Sequence, residues 1–343
     1  MLDWLVITAD RTDAGRGVQG YALAWFLRTY FGRRRVGVVS PAQFRASPPG
    51  PVETIFLGLP SSLTADDIRR TIRPRCRRLA PFDYLDQQQL AWTPEQEPAL
   101  REAGDRYLKP WFESAWNHGL PMALLPLRTN RRFSAALAVA RVRQRFRRRP
   151  EPRHDVFFLG RPNQTRTVVD GVVRKLDQRV QWLLELKREA PEISFCGGLV
   201  QVEGDEYRDQ QARYGDLSDL RYHRDKVGFR EYCRLLWQAR VLLAPGGNVP
   251  WTYRHYECLY AGGVVVSNDF RTRDLLVPLP PEGVVHVPDG APVLPSVREA
   301  LELSRRQPEI AQQYVAHLEQ YLRGAAYSRR RPKLIERFLR QLG

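Results

Sequence analysis

An arginine and a glutamate three residues apart, Arg254 and Glu257, follow a glycine-rich bend at Gly246, Gly247 and Asn248. The apolar run VLLAP (241–245) precedes the bend, and the apolar spacing after it predicts a helix. Glycines at a strand-to-helix turn let backbone N–H groups approach an anion, and the helix start adds partial positive charge. An arginine in the first helical turn can clamp a diphosphate with two parallel hydrogen bonds. A glutamate one turn later lies on the same face and can accept from two vicinal ribose hydroxyls. The same residues also fit a plain strand–turn–helix unit carrying a surface Arg–Glu pair.

Other polar residues stand at comparable turns. Arg161, Asn163 and Arg166 follow the apolar run DVFFLG (155–160), where a basic residue could reach phosphate or simply face solvent. Lys175 is a weaker candidate, placed early on the next predicted helix. Near the N-terminus, Gly15, Gly17 and Gly20 follow the first apolar run with G-x-G-x-x-G spacing. They do not make a dinucleotide fingerprint, because Ser40 stands where the ribose-binding acid is expected. Asp13, in that loop, could be a base that activates a hydroxyl, or the cap of the following helix. His118, in the turn WNHGLP, is a second candidate base, against its plain reading as a surface histidine. His255 faces either phosphate or the core, and His223 with Lys226 could belong to a lid.

These residues need elements to hold them. Short apolar runs at 4–9, 36–40 and 52–60 predict buried parallel strands, with a helix from the glycine loop to Gly32 and another at 64–74 capped by Thr64. An edge strand or loop is predicted at 81–86, helix at 96–117, a strand-like run at 121–127 and helix at 133–146. The charged, proline-containing stretch RRRPEPRH (147–154) predicts a domain boundary. Beyond it come a strand at 155–160, an amphipathic helix at 172–188, a strand at 193–200, a polar excursion at 201–225 and a helix at 228–240. Strands at 241–245, 264–267 and 283–287 and closing helices complete the pattern. Strand–helix alternation in both halves predicts an α/β protein of two Rossmann-like, doubly wound domains facing a cleft, with any ligand beyond the carboxyl ends of the strands. The expected division is 1–150, 151–310, and 311–343 as helices packing back on the first domain.

The run from strand through Pro245-Gly246-Gly247 to R-x-x-E-x-L-x-x-G-G-V-V-V-S resembles the donor-binding motif of GT-B glycosyltransferases, with the spore-maturation-type and exostosin-like branches nearest in pattern. The resemblance covers residues 155–270. It implies that Glu257 binds the donor ribose, that Arg254, Gly246, Gly247 and Asn248 face the phosphates, and that Arg161, Asn163 and Arg166 join them. It also implies that Gly15 and Gly17 form a loop facing phosphate or acceptor. The commoner pattern carries a second Glu where this chain has Val249, so no stereochemical outcome is implied. The implied reaction moves a sugar from a nucleotide-diphosphate sugar to a hydroxyl of a glycan, lipid-linked or protein acceptor. No cofactor is expected beyond that donor, and no metal.

The totals bound these readings. The chain has 343 residues, 43% of them hydrophobic, enough for two cored domains. Its formal charge of +16 suggests anionic partners. Lys occurs only at 109, 175, 187, 226 and 333, so nearly all 54 basic residues are Arg, which looks largely compositional. Nucleic acid is not expected, since Arg is spread over both halves without a basic–aromatic motif. The clusters at 33–35, 147–149 and 329–331 leave room for peripheral membrane contact. Four scattered cysteines without a C-x-x-C pair argue against a zinc site or disulfide framework, and Cys196 and Cys258 read as core residues. The start lacks a basic region before a long apolar run, and no apolar run reaches membrane-spanning length, so a cytoplasmic location is expected. A catalytically silent protein that binds a nucleotide or glycan is the rival reading, ahead of a basic nucleic-acid binder.

Overall fold

The computed structural model describes residues 2–9, 16–59, 61–84, 90–113, 119–125, 139–140, 142, 151–169, 172–271, 273–307, 309–322 and 333–343. The strands are β1 (Trp4–Ile7), β2 (Val36–Val39), β3 (Val52–Gly58), β4 (Cys76–Phe82), β5 (Tyr107–Lys109), β6 (Trp111–Glu113), β7 (Met122–Leu124), β8 (His154–Gly160), β9 (Thr165–Val169), β10 (Val172–Leu176), β11 (Phe195–Leu199), β12 (Ala239–Ala244), β13 (Val264–Asn268), β14 (Arg273–Leu275) and β15 (Val284–Val287). The described helices are α1 (Arg16–Phe31), α2 (Pro41–Ala46), α3 (Glu97–Ala103), α4 (Gln178–Glu189), α5 (Asp205–Tyr214), α6 (Phe229–Leu236), α7 (Arg254–Ala261), α8 (Leu294–Arg306), α9 (Ile310–Leu322) and α10 (Lys333–Leu342).

Two parallel sheets organise the chain. The first runs β2-β1-β3-β4-β5-β7 and the second β11-β8-β12-β13-β15. Their central strands are short apolar runs buried on both faces, as in WLVI and VVVSN, because helices cover both sides. Each sheet starts in the middle, adds its second strand on one side and its third on the other. The winding therefore reverses between β1 and β3, and again between β8 and β12. At such a switch point the two strand-end loops diverge and leave a crevice. Among the described residues no helix is long and apolar enough to cross a membrane.

Two further contacts link the halves. β6 pairs antiparallel with β14, with Leu275 opposite Trp111 and Arg273 opposite Glu113. β6 leaves the carboxyl end of β5 after one residue, and β14 follows the carboxyl end of β13, so the carboxyl edges of both sheets adjoin this ribbon. α10 then lays its apolar face on the first sheet. Phe338, fully buried, packs edge-on to Phe26 (5.5 Å between centroids) and stacks on Phe56 at 6.3 Å. Gln341 Oε1 accepts from the Leu124 amide (2.7 Å), and Arg337 donates to the Leu275 carbonyl (3.1 Å).

Four local expectations are corrected. The predicted helix over 96–117 ends at Ala103. Asp105 then ties back to β4, its carboxylate accepting from the Leu79 amide and its own amide donating to the Leu79 carbonyl. Buried Tyr107 and Leu108 join the sheet instead. The helix expected over 172–188 starts only at Gln178. TRTVV and VVRKL are two β-branched runs around Asp170-Gly171, and they pair as the antiparallel strands β9 and β10. The polar excursion at 201–225 contains α5, whose Gln210 is fully buried. The strand expected at 81–86 lies at Cys76–Phe82, inside the sheet. The predicted helix at 133–146, the boundary residues 147–150 and the Arg cluster 329–331 fall outside the described residues, save 139, 140 and 142.

Candidate functional site

The second switch point is where the polar residues meet. β8 ends at Gly160 and leads into Arg161–Gln164. Beside it β12 ends at Ala244 and leads through Gly246–Asn248 to α7. The first residue of α7, Arg254, folds its guanidinium back over the end of β8. Its Cζ sits 4.7 Å from the ring centroid of Phe158. A Cβ on Gly160 would come within 2.8 Å of the Arg254 Nη2 and 3.0 Å of the Phe158 ring, so any larger residue would displace the guanidinium from this position. The Arg254 Nε is buried without a hydrogen-bond partner. One turn along α7, Glu257 is half-buried and accepts from the Tyr232 hydroxyl on α6 (2.9 Å). Burial pushes the Tyr232 phenol well above its usual range; the Arg254 charge opposes this, and Glu257 adds to it through its charge and its hydrogen bond. Tyr232 therefore stays protonated and orients the carboxylate.

The glycine bend is held from beneath. Arg179 on α4 donates through Nε to the Gly246 carbonyl (2.7 Å) and through Nη1 to the Arg161 carbonyl (2.8 Å), clamping the two strand-end loops together. The Gly246 amide donates to Gln178 Oε1 (3.3 Å) and the Gly247 amide to the Val249 carbonyl (2.8 Å). Both amides are thus engaged within the chain, so at Gly246 and Gly247 the bend supplies shape rather than free donors. Asn163 Nδ2 donates to Asn248 Oδ1 (2.5 Å), joining the same loops at their exposed rim. Below them, Asp177 accepts from Gln164, Gln210 and Tyr214 and pairs with Arg213 at 2.5 Å. A buried carboxylate needs such a full set of partners.

His255 turns inward from Arg254. It is buried, its Nε2 lies 3.1 Å from Asn268 Oδ1 and its Nδ1 lies 3.2 Å from the Thr252 amide. Its Nδ1 also lies 2.8 Å from the Thr252 carbonyl, so contacts through both ring nitrogens brace the start of α7 against the end of β13. Burial pulls its pKa down to about 4. The folded state therefore holds it neutral while the unfolded chain titrates near 6.5. Its stabilising contribution is complete above pH 6.5 and is lost as pH falls from there to about 4, a loss of the order of 3 kcal/mol. His255→Gln is expected to flatten that part of a urea-denaturation pH profile. An unchanged slope would remove His255 as the cause.

The sequence-expected residues divide accordingly. Arg254, Glu257, Gly246, Gly247, Asn248, Arg161 and Asn163 converge on the second switch point. Arg161 and Asn248 are exposed there. Arg166 stands on β9, its amide bonded to the Asn248 carbonyl (3.1 Å). Lys175 is not on a helix but on β10, directly opposite Arg166. Gly17 lies in the first turn of α1 rather than in a loop. Asp13, Gly15 and His118 lie outside the described residues. His223 and Lys226 are exposed, and the His223 ring lies tilted against Tyr222. Cys258 is buried and Cys196 half-buried.

Four participants were not read from the sequence: Gly160, Tyr232, Arg179 and a buried ion pair in the first sheet. Only the position of Gly160 at a strand end hinted at its use. In that ion pair, Lys109 Nζ lies 2.9 and 3.0 Å from the Asp83 oxygens, and both side chains are wholly inaccessible. The Tyr107 hydroxyl also donates to Asp83 (2.6 Å) while accepting from the Ala91 amide (2.9 Å). The pair closes the carboxyl ends of β4 and β5, one residue before the β6 ribbon. A lone lysine inside an apolar strand was its signal.

No family model matches the chain, and no curated protein does. Solved structures of similar shape do exist. A UDP-forming α,α-trehalose-phosphate synthase from Burkholderia xenovorans shares 13% identity over 88% of this chain and 76% of that chain, with a TM-score of 0.47. UDP-GlcNAc 2-epimerase from Neisseria meningitidis, bound to UDP-GlcNAc, shares 10% over 98% and 99%, with a TM-score of 0.40. Sucrose-phosphate synthase from Thermosynechococcus elongatus shares 13% over 78% and 73%, with a TM-score of 0.37. At these values the likeness concerns the α/β fold and nothing finer.

Proposed function

We propose that the chain is a GT-B-type glycosyltransferase that binds a nucleotide-diphosphate sugar at the switch point of its second sheet and transfers the sugar to an acceptor held by the first domain. The observation that carries this is Arg254, a cation folded over the glycine end of β8 with a buried, unpartnered N–H, one turn before Glu257. A buried donor left unsatisfied costs about 1–3 kcal/mol, and a bound anion would recover it. Arg254 and Arg161 suit a diphosphate, and Glu257, steadied by Tyr232, suits vicinal hydroxyls. Asn163 and Asn248 line the rim.

Transfer breaks the bond between the sugar C1 and the diphosphate oxygen and forms one from C1 to an acceptor oxygen. The acceptor proton goes to a base, for which Asp13 and His118 are the candidates. The arginines and the α7 dipole stabilise the departing diphosphate without a metal. Residues 1–150 form the acceptor domain in this reading, 151–310 the donor domain and 311–343 the returning helices.

A panel of nucleoside diphosphates tests the donor site. At one hundred times its Kd a true ligand stabilises the protein by about 2.7 kcal/mol, visible as a raised melting temperature. Incubation with nucleotide-sugars and acceptors then reads release of nucleotide. Binding without turnover would favour the catalytically silent reading, and no shift from any nucleotide would refute the donor site.

A further inference from the structure

Thr165 opens β9, directly after the Arg161–Gln164 loop. It shares the buried face of that strand with Thr167, two residues on, because strand side chains alternate. The fold treats the two threonines differently. The Thr167 hydroxyl donates to Asp289 (2.9 Å) and accepts from Arg273 (3.0 Å). Thr165 is only 1% exposed, yet its hydroxyl has no hydrogen-bond partner among the described residues. A buried hydroxyl left unpaired weakens the folded state, so its place calls for a partner from outside the chain. That place is over the glycine bend. A Cβ on Gly246 would stand 2.6 Å from the Thr165 oxygen, so any larger residue there would displace the hydroxyl. The Gly246 and Gly247 amides are already engaged by Gln178 and Val249. The bend thus offers no N–H at these two positions, and the neighbouring strand brings an O–H to it. The Arg254 Nε is a second buried donor without a partner among the described residues. These two donors flank the pair of loops that Arg179 clamps together.

We propose that Thr165 is a further ligand-binding residue, whose hydroxyl donates to a phosphate oxygen of the bound nucleotide. The inference rests on the nucleotide-sugar reading and adds to that site a donor the glycine bend lacks. Any acceptor would satisfy the hydroxyl. On loops that also carry the cations Arg161 and Arg254, an anionic oxygen is the acceptor the charges attract. A hydroxyl turns freely about its C–O bond, so it can follow the phosphate without a backbone change.

The test uses the full chain and the nucleoside diphosphate that stabilises it most, with the parent nucleoside as a phosphate-free control. Melting temperature and calorimetry are the readouts. Thr165→Val keeps the branched shape and removes the hydroxyl. It should raise the melting temperature of the unliganded protein by about 2–4 °C, since an unpaired buried group is gone. It should also weaken the nucleoside diphosphate about tenfold or more, as for a lost hydrogen bond to a charged group, and leave the nucleoside Kd unchanged. Thr165→Ser restores the hydroxyl and should bind the diphosphate nearly as the wild type does. Stability and affinity moving in opposite directions is a result that a purely structural threonine would not give. Four results would each overturn the proposal: undiminished diphosphate affinity in Thr165→Val, an equal loss for the nucleoside, a lowered melting temperature of the unliganded variant, or a Thr165→Ser variant as weak as Thr165→Val. If no nucleoside diphosphate binds the wild type, the donor reading fails separately. Inorganic pyrophosphate then decides for the hydroxyl, supporting it if Thr165→Val weakens binding and overturning it if binding is absent or undiminished.

Discussion

Arg254→Ala is expected to weaken nucleoside diphosphate binding by about one to two orders of magnitude while leaving the unliganded protein nearly as stable as before. A hydrogen bond to a charged group contributes about 1.5–3 kcal/mol. Arg254 is half-buried, and its buried Nε has no hydrogen-bond partner among the described residues. Removing it gives up the contact with Phe158, about 0.5–1 kcal/mol, but also removes an unsatisfied donor. Stability and affinity should therefore separate, as they do where a site is built for a ligand rather than for folding. Glu257→Ala should produce a comparable loss for nucleosides with both ribose hydroxyls, and a smaller one for the 2′-deoxy analogue. Calorimetric titration of both variants reads these effects. Wild-type affinity in Arg254→Ala would place the phosphates elsewhere.

The second large effect is expected in the first sheet. Lys109→Met should destabilise the protein by about 3–5 kcal/mol, because it leaves the Asp83 carboxylate buried without its ammonium. Typical net stabilities are only about 5–15 kcal/mol, so this single change could consume much of the total. Combining it with Asp83→Asn should restore most of the loss, since the uncompensated charge is the main cost. A double-mutant cycle in urea measures the coupling, and simple additivity of the two changes would show that the pair is not the interaction at stake. The consequence extends beyond stability. Lys109 ends β5, Pro110 follows, and β6 then pairs with β14 from the other half. A slack β5 end would loosen the ribbon where the carboxyl edges of the two sheets adjoin.

By itself the chain determined most of what is local or periodic. The short β-branched runs at 4–9, 155–160 and 264–267 are buried parallel strands because such runs can hide both faces only under helices, whereas 36–40 supplies a half-buried strand at the sheet edge. The glycine bend before Arg254 and Glu257 was legible because glycine, arginine and glutamate at that spacing have few joint uses. Reading failed where two periods overlapped: VVRKLDQRV satisfies a helix until the β-branched run before Asp170-Gly171 is counted as its partner. It failed again where polarity was taken for exposure, as at Gln210, whose partners come from residues about thirty and fifty positions away. Only the tertiary structure decided that Gly160 makes room for Arg254, that Tyr232 steadies Glu257, that Arg179 clamps two loops and that Lys109 finds Asp83. Each is a contact between residues distant in the chain, and its energy depends on burial and distance, which no single segment encodes.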